Sequence, residues 1–151
     1  MSDTSIRTET RDAASPAELA RHLAGAPFIY GLAAPLALLD VCVSLYQAVC
    51  FRLWDVPRVR RRNYVTFRRA ELPYLDVMQR VNCGSCSYAN GVLAYAQEIA
   101  ARTEQYWCPI KHPAPPPVTH ERYARFVPYG DPLQVRERMR DLRDDLQADE
   151  D

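Results

Sequence analysis

The sequence predicts an all-α protein in which one apolar helix, transmembrane or re-entrant, precedes a small helical module and an amphipathic C-terminal helix. Three observations carry this. Residues 28–51, FIYGLAAPLALLDVCVSLYQAVCF, form an apolar run about as long as a helix that crosses a hydrocarbon core. Tyr74, Leu75, Met78 and Val81, and again Val135, Met139, Leu142 and Leu146, recur at helical spacing. Extended structure is favoured only over residues 63–68, where Tyr64, Val65, Thr66 and Phe67 find no partner segment for a sheet.

At 151 residues the chain has room for one modest domain with tails. Nineteen basic and nineteen acidic residues cancel, so overall charge calls for no nucleic acid, although the signs are unevenly placed. Four segments follow. Residues 1–14 are polar and aperiodic and read as a disordered leader, with no cleavable signal peptide. Residues 15–51 hold a short amphipathic helix and the membrane helix, residues 52–112 a cytoplasmic cysteine module, and residues 113–151 a Pro-rich linker with a charged helix.

The first helix is expected over residues 16–24: Ser15-Pro16-Ala17-Glu18 has capping-box spacing with Pro at the first helical position, and Gly25 is a stop. Within the apolar run, Pro35 removes a backbone donor and Asp40 costs roughly 2.5 to 3.5 kcal/mol at a bilayer centre. Asp40, Ser44 and Gln47 share one helical stripe, a polar face turned to another helix, a second copy or the chain's own remainder. Besides a span, the run fits a hairpin bent at Pro35 or the buried core helix of a soluble domain.

The flanks favour the membrane. Arg52, Arg58, Arg60, Arg61, Arg62, Arg68 and Arg69 crowd the C-terminal side with Trp54 at the boundary, which places that side in the cytoplasm and membrane lipids among the partners. No nucleic-acid-binding motif accompanies the arginines. Downstream, Pro73 is expected to open a helix through Val81, ended by Asn82 and Gly84, and Ser85 to cap another over residues 88–107. Pro113-Ala114-Pro115-Pro116-Pro117 is a stiff stretch before an appendage. Asp131 as cap and Pro132 start the last helix, whose apolar stripe suits a homodimer or protein partner.

Chemistry concentrates in Cys83-Gly84-Ser85-Cys86 and Cys108-Pro109-Ile110-Lys111-His112. Five cysteines are an odd number, against a paired disulfide framework, and Cys42 and Cys50 sit in the apolar run as small hydrophobes. Cys83, Cys86, Cys108 and His112 supply the four donors of a Cys3His site for zinc, or for iron if the site is redox active. A straight helix between the pairs would hold them about 30 Å apart, so this reading needs a break at Asn90-Gly91 or ligands from elsewhere. The alternative is a thiol oxidoreductase in which Cys83, at a helix N-terminus, is the nucleophile and Cys86 the resolving partner; the βαβ surroundings of such enzymes are missing. A soluble helical domain without metal is the third reading. Glu98 and Arg102, at i and i+4, read as a surface ion pair.

The stretch VNCGSCSYANG followed by EIAARTEQYWCPIKH resembles a family of small bacterial membrane proteins, over the middle two-thirds of the chain. The resemblance implies that Cys83, Cys86, Cys108 and His112 belong to one signature; the location expected for the chain is a bacterial inner membrane with its C-terminal part in the cytoplasm. The resemblance implies no activity.

Overall fold

The computed structural model describes residues 16–149, and the expected leader and the Ser15 cap lie outside them. The described chain is helical. Its only β-type pairing is an isolated parallel bridge between Ile110 and Val127. The chain divides into two compact units, Met1–Ala34 and Pro35–Asp151.

In the first unit, α1 runs Pro16–Gly31, past the stop expected at Gly25. Gly25 keeps a negative φ and so stays helical, and Pro27 is absorbed within the helix at the loss of one backbone donor. Phe28 and Ile29 are exposed.

The second unit begins within α2, Ala33–Tyr46, which passes into a π-helical turn over Gln47–Phe51. Pro35 falls in the first turn of α2, where a missing N–H has no intrahelical bond to lose. After Phe51 the chain closes through Asp55 at φ 54°, with the Val56 N–H donating to Phe51 O at 2.9 Å. That 6→1 bond and the left-handed residue are the C-terminal closure of a Schellman motif. Glycine relieves the side-chain cost of this conformation, so Asp55→Gly is expected to raise the melting temperature slightly, by about 0.5 kcal/mol of stability, in a thermal melt.

Residues 52–76 cross the inner face of α2 and α3 through two short 3-10 turns, Arg61–Asn63 and Arg68–Glu71. The core they help enclose contains Phe51, Val56, Val59, Tyr95, Ile99 and Leu146, with Tyr46, Trp54, Tyr64 and Tyr106 packed at its margin. Each such buried apolar side chain contributes about 1.5–3 kcal/mol.

The long helix α3, Val77–Trp107, replaces the two helices expected here. Its start is set by a capping box: the Gln79 N–H donates to Asp76 Oδ1 at 2.7 Å and the Asp76 N–H to Gln79 Oε1 at 3.1 Å. Helix runs unbroken through Asn90 and Gly91. A Cβ on Gly91 would stand 2.7 Å from Tyr64 O and 2.9 Å from Val65 Cα, so the glycine admits a crossing backbone instead of ending the helix. Asn90 stays helical and donates from its amide to Cys86 O at 2.9 Å.

Beyond α3 the chain packs back onto it. Lys111 N–H donates to Val127 O and Val127 N–H to Pro109 O, both at 2.8 Å, and Tyr123, Phe126 and Val127 are buried. The last helix, α4, spans Pro132–Gln147 and is capped by Asp131, whose Oδ1 accepts from Gln134 N–H at 3.0 Å. Of its apolar stripe, Leu142 and Leu146 are buried in this same chain, while Val135 and Met139 are half-buried. Residues 119–149 thus complete the core and do not stand off it as an appendage.

Candidate functional site

The expected metal site does not assemble. Cys83 and Cys86 lie one turn apart in the first half of α3, and Cys108 is its C-terminal cap. Twenty-one residues of continuous helix lie between Cys86 and Cys108 and hold them roughly 33 Å apart. His112 lies beyond Cys108, its ring exposed and stacked on Tyr123 at 6.2 Å. Among the described residues no group of three or more His, Cys, Asp or Glu is placed to hold an ion, which overturns the Cys83, Cys86, Cys108, His112 zinc or iron site. Of the two conditions for that reading, the break at Asn90-Gly91 is absent, because Gly91 stays helical and packs against residues 64 and 65, and no further His, Cys, Asp or Glu among the described residues completes either pair.

The thiol reading loses its local support too. Cys83 sits nearly two turns into α3, past the free N–H groups of the helix start at Val77, so it does not share the N-terminal field that would activate it. All five cysteines are free thiols. Serine at Cys83 or Cys108 is therefore expected to change stability by less than about 0.5 kcal/mol, with no loss of bound metal, in paired melting and elemental measurements.

Polar chemistry lies elsewhere, in two clusters. The first joins α2 to the residues that cross it. Arg61 grips Asp40 with both arms of its fork, Nε to Oδ1 at 2.9 Å and Nη2 to Oδ2 at 2.6 Å, and Tyr88 donates its hydroxyl to Oδ2 at 3.1 Å. The hydrogen bond to Asp40 holds the Arg61 pKa above its ordinary value. Two turns on, the Gln47 side chain reads both backbone groups of Val59: its Nε2 donates to Val59 O at 3.3 Å and its Oε1 accepts from Val59 N–H at 3.0 Å. Gln47 Nε2 and Ser44 also meet the Tyr95 hydroxyl. The stripe of Asp40, Ser44 and Gln47 faces the chain's own remainder.

The second cluster lines a cleft of about 560 Å³ beside the second half of α3. Arg102, which the i, i+4 pattern placed on the surface, is buried. Its Nε donates to Glu98 Oε1 at 2.9 Å and its Nη1 to Pro57 O at 2.9 Å. Arg122, also buried, reaches the same Glu98 oxygen from Nη2 at 2.8 Å, Gln105 Oε1 at 3.0 Å and Asp149 Oδ2 at 2.6 Å. Burial works against the Arg122 charge, but hydrogen bonds to Glu98 and Asp149 outweigh it and its pKa stands above the ordinary arginine value. A raised folded-state pKa stabilises fully below the unfolded value, so this contribution is constant across the physiological range.

The cleft wall continues with Arg125, Thr119 and His120. His120 pairs through Nε2 with Glu104 at 3.0 Å, and its buried Nδ1 has no hydrogen-bond partner among the described residues. Sequence spacing showed Glu98 and Arg102 as a pair. It gave no sign of Arg122, because a 3-10 turn over Glu121–Arg125 carries that residue to α3 from 20 positions further on.

Comparison of the chain with protein-family models, with curated proteins and with solved structures finds no match. The functional reading therefore rests on the chain's own residues.

Proposed function

We propose that this chain is a membrane-anchored protein whose helical module sits on the cytoplasmic side. The observation that carries the reading is the reversed polarity of α2 and the turn that follows it. Asp40, Ser44 and Gln47 face inward to hydrogen-bond partners, whereas Leu38, Val41, Leu45, Val49 and Leu53 face outward, the last at 72% exposure. A helix in water hides its apolar face; polar inside and apolar outside suits lipid.

The stretch Leu23–Phe51 is long and apolar enough to cross a membrane, with a mean hydropathy of 1.9. Only 6% of its most apolar part is buried, whereas the core helix of a soluble protein is mostly buried. Moving Leu23, Phe28, Ile29 and Leu32 together with the five outward residues of α2 and the stretch after it from water into lipid is worth on the order of 10 kcal/mol. Removal of the stretch as a cleaved signal would take Phe51 and Gln47 out of the interior, which argues for retention.

In this reading the apolar stretch Leu23–Phe51 lies in the hydrocarbon, with Asp40, Ser44 and Gln47 paired inward against the chain itself. Exposed Arg58, Arg60 and Arg62 then face anionic headgroups. Trp54, edge-on to Trp107 at 5.2 Å, supplies an interfacial aromatic pair.

Fractionation tests the reading. The full chain is expected to sediment with membranes, resist alkaline extraction and come into solution with detergent, and a fluorescent protein fused after Asp151 is expected to mature in the cytoplasm. Recovery of the full chain in the high-speed supernatant without detergent overturns it.

A further inference from the structure

We propose, resting on the membrane reading, that an apolar groove between α2 and the second half of α3 holds an acyl chain of a bilayer lipid. The groove has a volume of about 390 Å³, within the range of small-molecule sites. Val43 and Tyr46 form its α2 wall, and Ala96, Ala100, Thr103 and Trp107 its α3 wall. Two alanines facing a tyrosine and a tryptophan leave a trough that the chain's own side chains do not fill.

The lining selects an apolar occupant. Thr103 donates its hydroxyl to Ile99 O at 2.8 Å, so its oxygen accepts from the Tyr46 hydroxyl at 3.2 Å, and Glu104 at the rim pairs with His120 at 3.0 Å. These polar groups already have protein partners, and a hydrocarbon chain can enter without stripping any of them of a hydrogen bond. What the groove offers a ligand is aliphatic and aromatic surface.

The position selects lipid. Tyr46 lies four residues after Cys42 and three before Val49, both exposed on the side of α2 that the membrane reading turns to lipid, so the groove borders that side. Here α2 and α3 run parallel, since Asp40 meets Tyr88 and Tyr46 meets Thr103. The groove therefore follows the axis of the apolar stretch, from Val43 and Ala96 toward Trp107, whose contact with Trp54 belongs at the membrane boundary. A linear chain lying beside the span matches that direction, and a bilayer supplies such chains at the groove's mouth.

Tryptophan quenching tests this. Trp54→Phe leaves Trp107 as the one tryptophan, and the full chain carrying that change is reconstituted in phosphatidylcholine vesicles with acyl chains either dibrominated or unmodified, bromine being a contact quencher. Sedimentation with the vesicles reads the membrane reading, and quenching reads the groove. Trp107 is expected to lose about half of its emission in brominated vesicles, and Ala100→Phe, which fills the groove from an exposed position, to restore most of that loss. A chain that sediments with vesicles but shows no quenching, or quenching indifferent to Ala100→Phe, overturns the groove and leaves the membrane reading standing; a chain that stays in the supernatant overturns both. Emission that follows the protein-to-lipid ratio instead of bromination places a second copy in the groove and overturns the proposal as well. Should Ala100→Phe not fold, Ala96→Leu, one turn away in the same wall, supplies the same readout with the same two outcomes.

Discussion

Alanine at Gly91 is expected to destabilise the protein by about 2 kcal/mol, against the direction that helix propensity predicts. Glycine in a helix interior costs up to about 1 kcal/mol relative to alanine, so a position that needed only helix would gain from the change. Here the new methyl would stand 2.7 Å from Tyr64 O and 2.9 Å from Val65 Cα, and both are backbone atoms that no rotamer change can move. Overpacking of this kind costs about 1–3 kcal/mol, occasionally more, and relief requires residues 64 and 65 to lift off α3. Lifting them pulls on Arg61 and loosens its grip on Asp40, three residues upstream of the contact. The expected result is a melting temperature lower by roughly 5–10 °C in detergent solution, followed by the fluorescence of Trp54 and Trp107. An unchanged or raised melting temperature would show that the segment yields freely and that the glycine is incidental.

Removing the Glu98 carboxylate is expected to cost more, about 3 kcal/mol. Glu98→Ala leaves Arg102 and Arg122 without their shared partner in the interior, and breaking one side of a buried ion pair costs about 3–5 kcal/mol. Glu98 is itself 20% exposed, which places the effect at the lower end. Glu98→Gln retains an acceptor while losing the charge and is expected to fall between alanine and wild type. Replacing Arg122 by Met in the Glu98→Ala background is expected to recover part of the loss, since one of the two buried guanidiniums that shared Glu98 is gone; a purely additive double mutant would show that the two groups do not couple.

Helix content, the apolar run and the cap of α4 at Asp131 were legible in the sequence, since each rests on neighbouring residues: hydrophobic spacing, a side chain three positions from its amide, a proline at the first turn. The inward stripe of Asp40, Ser44 and Gln47 was legible as a stripe, though not its partners. Other local signals misled. Gly25 and the pair Asn90-Gly91 carry helix-breaking residues, yet both segments remain helical. In α3 the tertiary contact with residues 64 and 65 makes the glycine worth more inside the helix than at its end.

The Cys and His spacing misled for the same reason. C-x-x-C and C-x-x-x-H describe which donors lie near one another in the chain, and a ligand set requires them to lie near one another in space. One unbroken helix separates the pairs, so the pattern carries no site. The arginine cleft is the converse case: Glu98, Arg122 and Asp149 are far apart in sequence and share no motif, and only the folding of the C-terminal segment back onto α3 brings them together.

The sequence by itself determined that this protein is helical and that it carries one helix long and apolar enough to cross a membrane, because composition and periodicity act over a few turns and need no distant partner. Tertiary structure decided which polar groups meet. Burial makes an unpaired charge costly, so Asp40 is drawn to Arg61, and Arg102 and Arg122 to Glu98, over separations that no local pattern records.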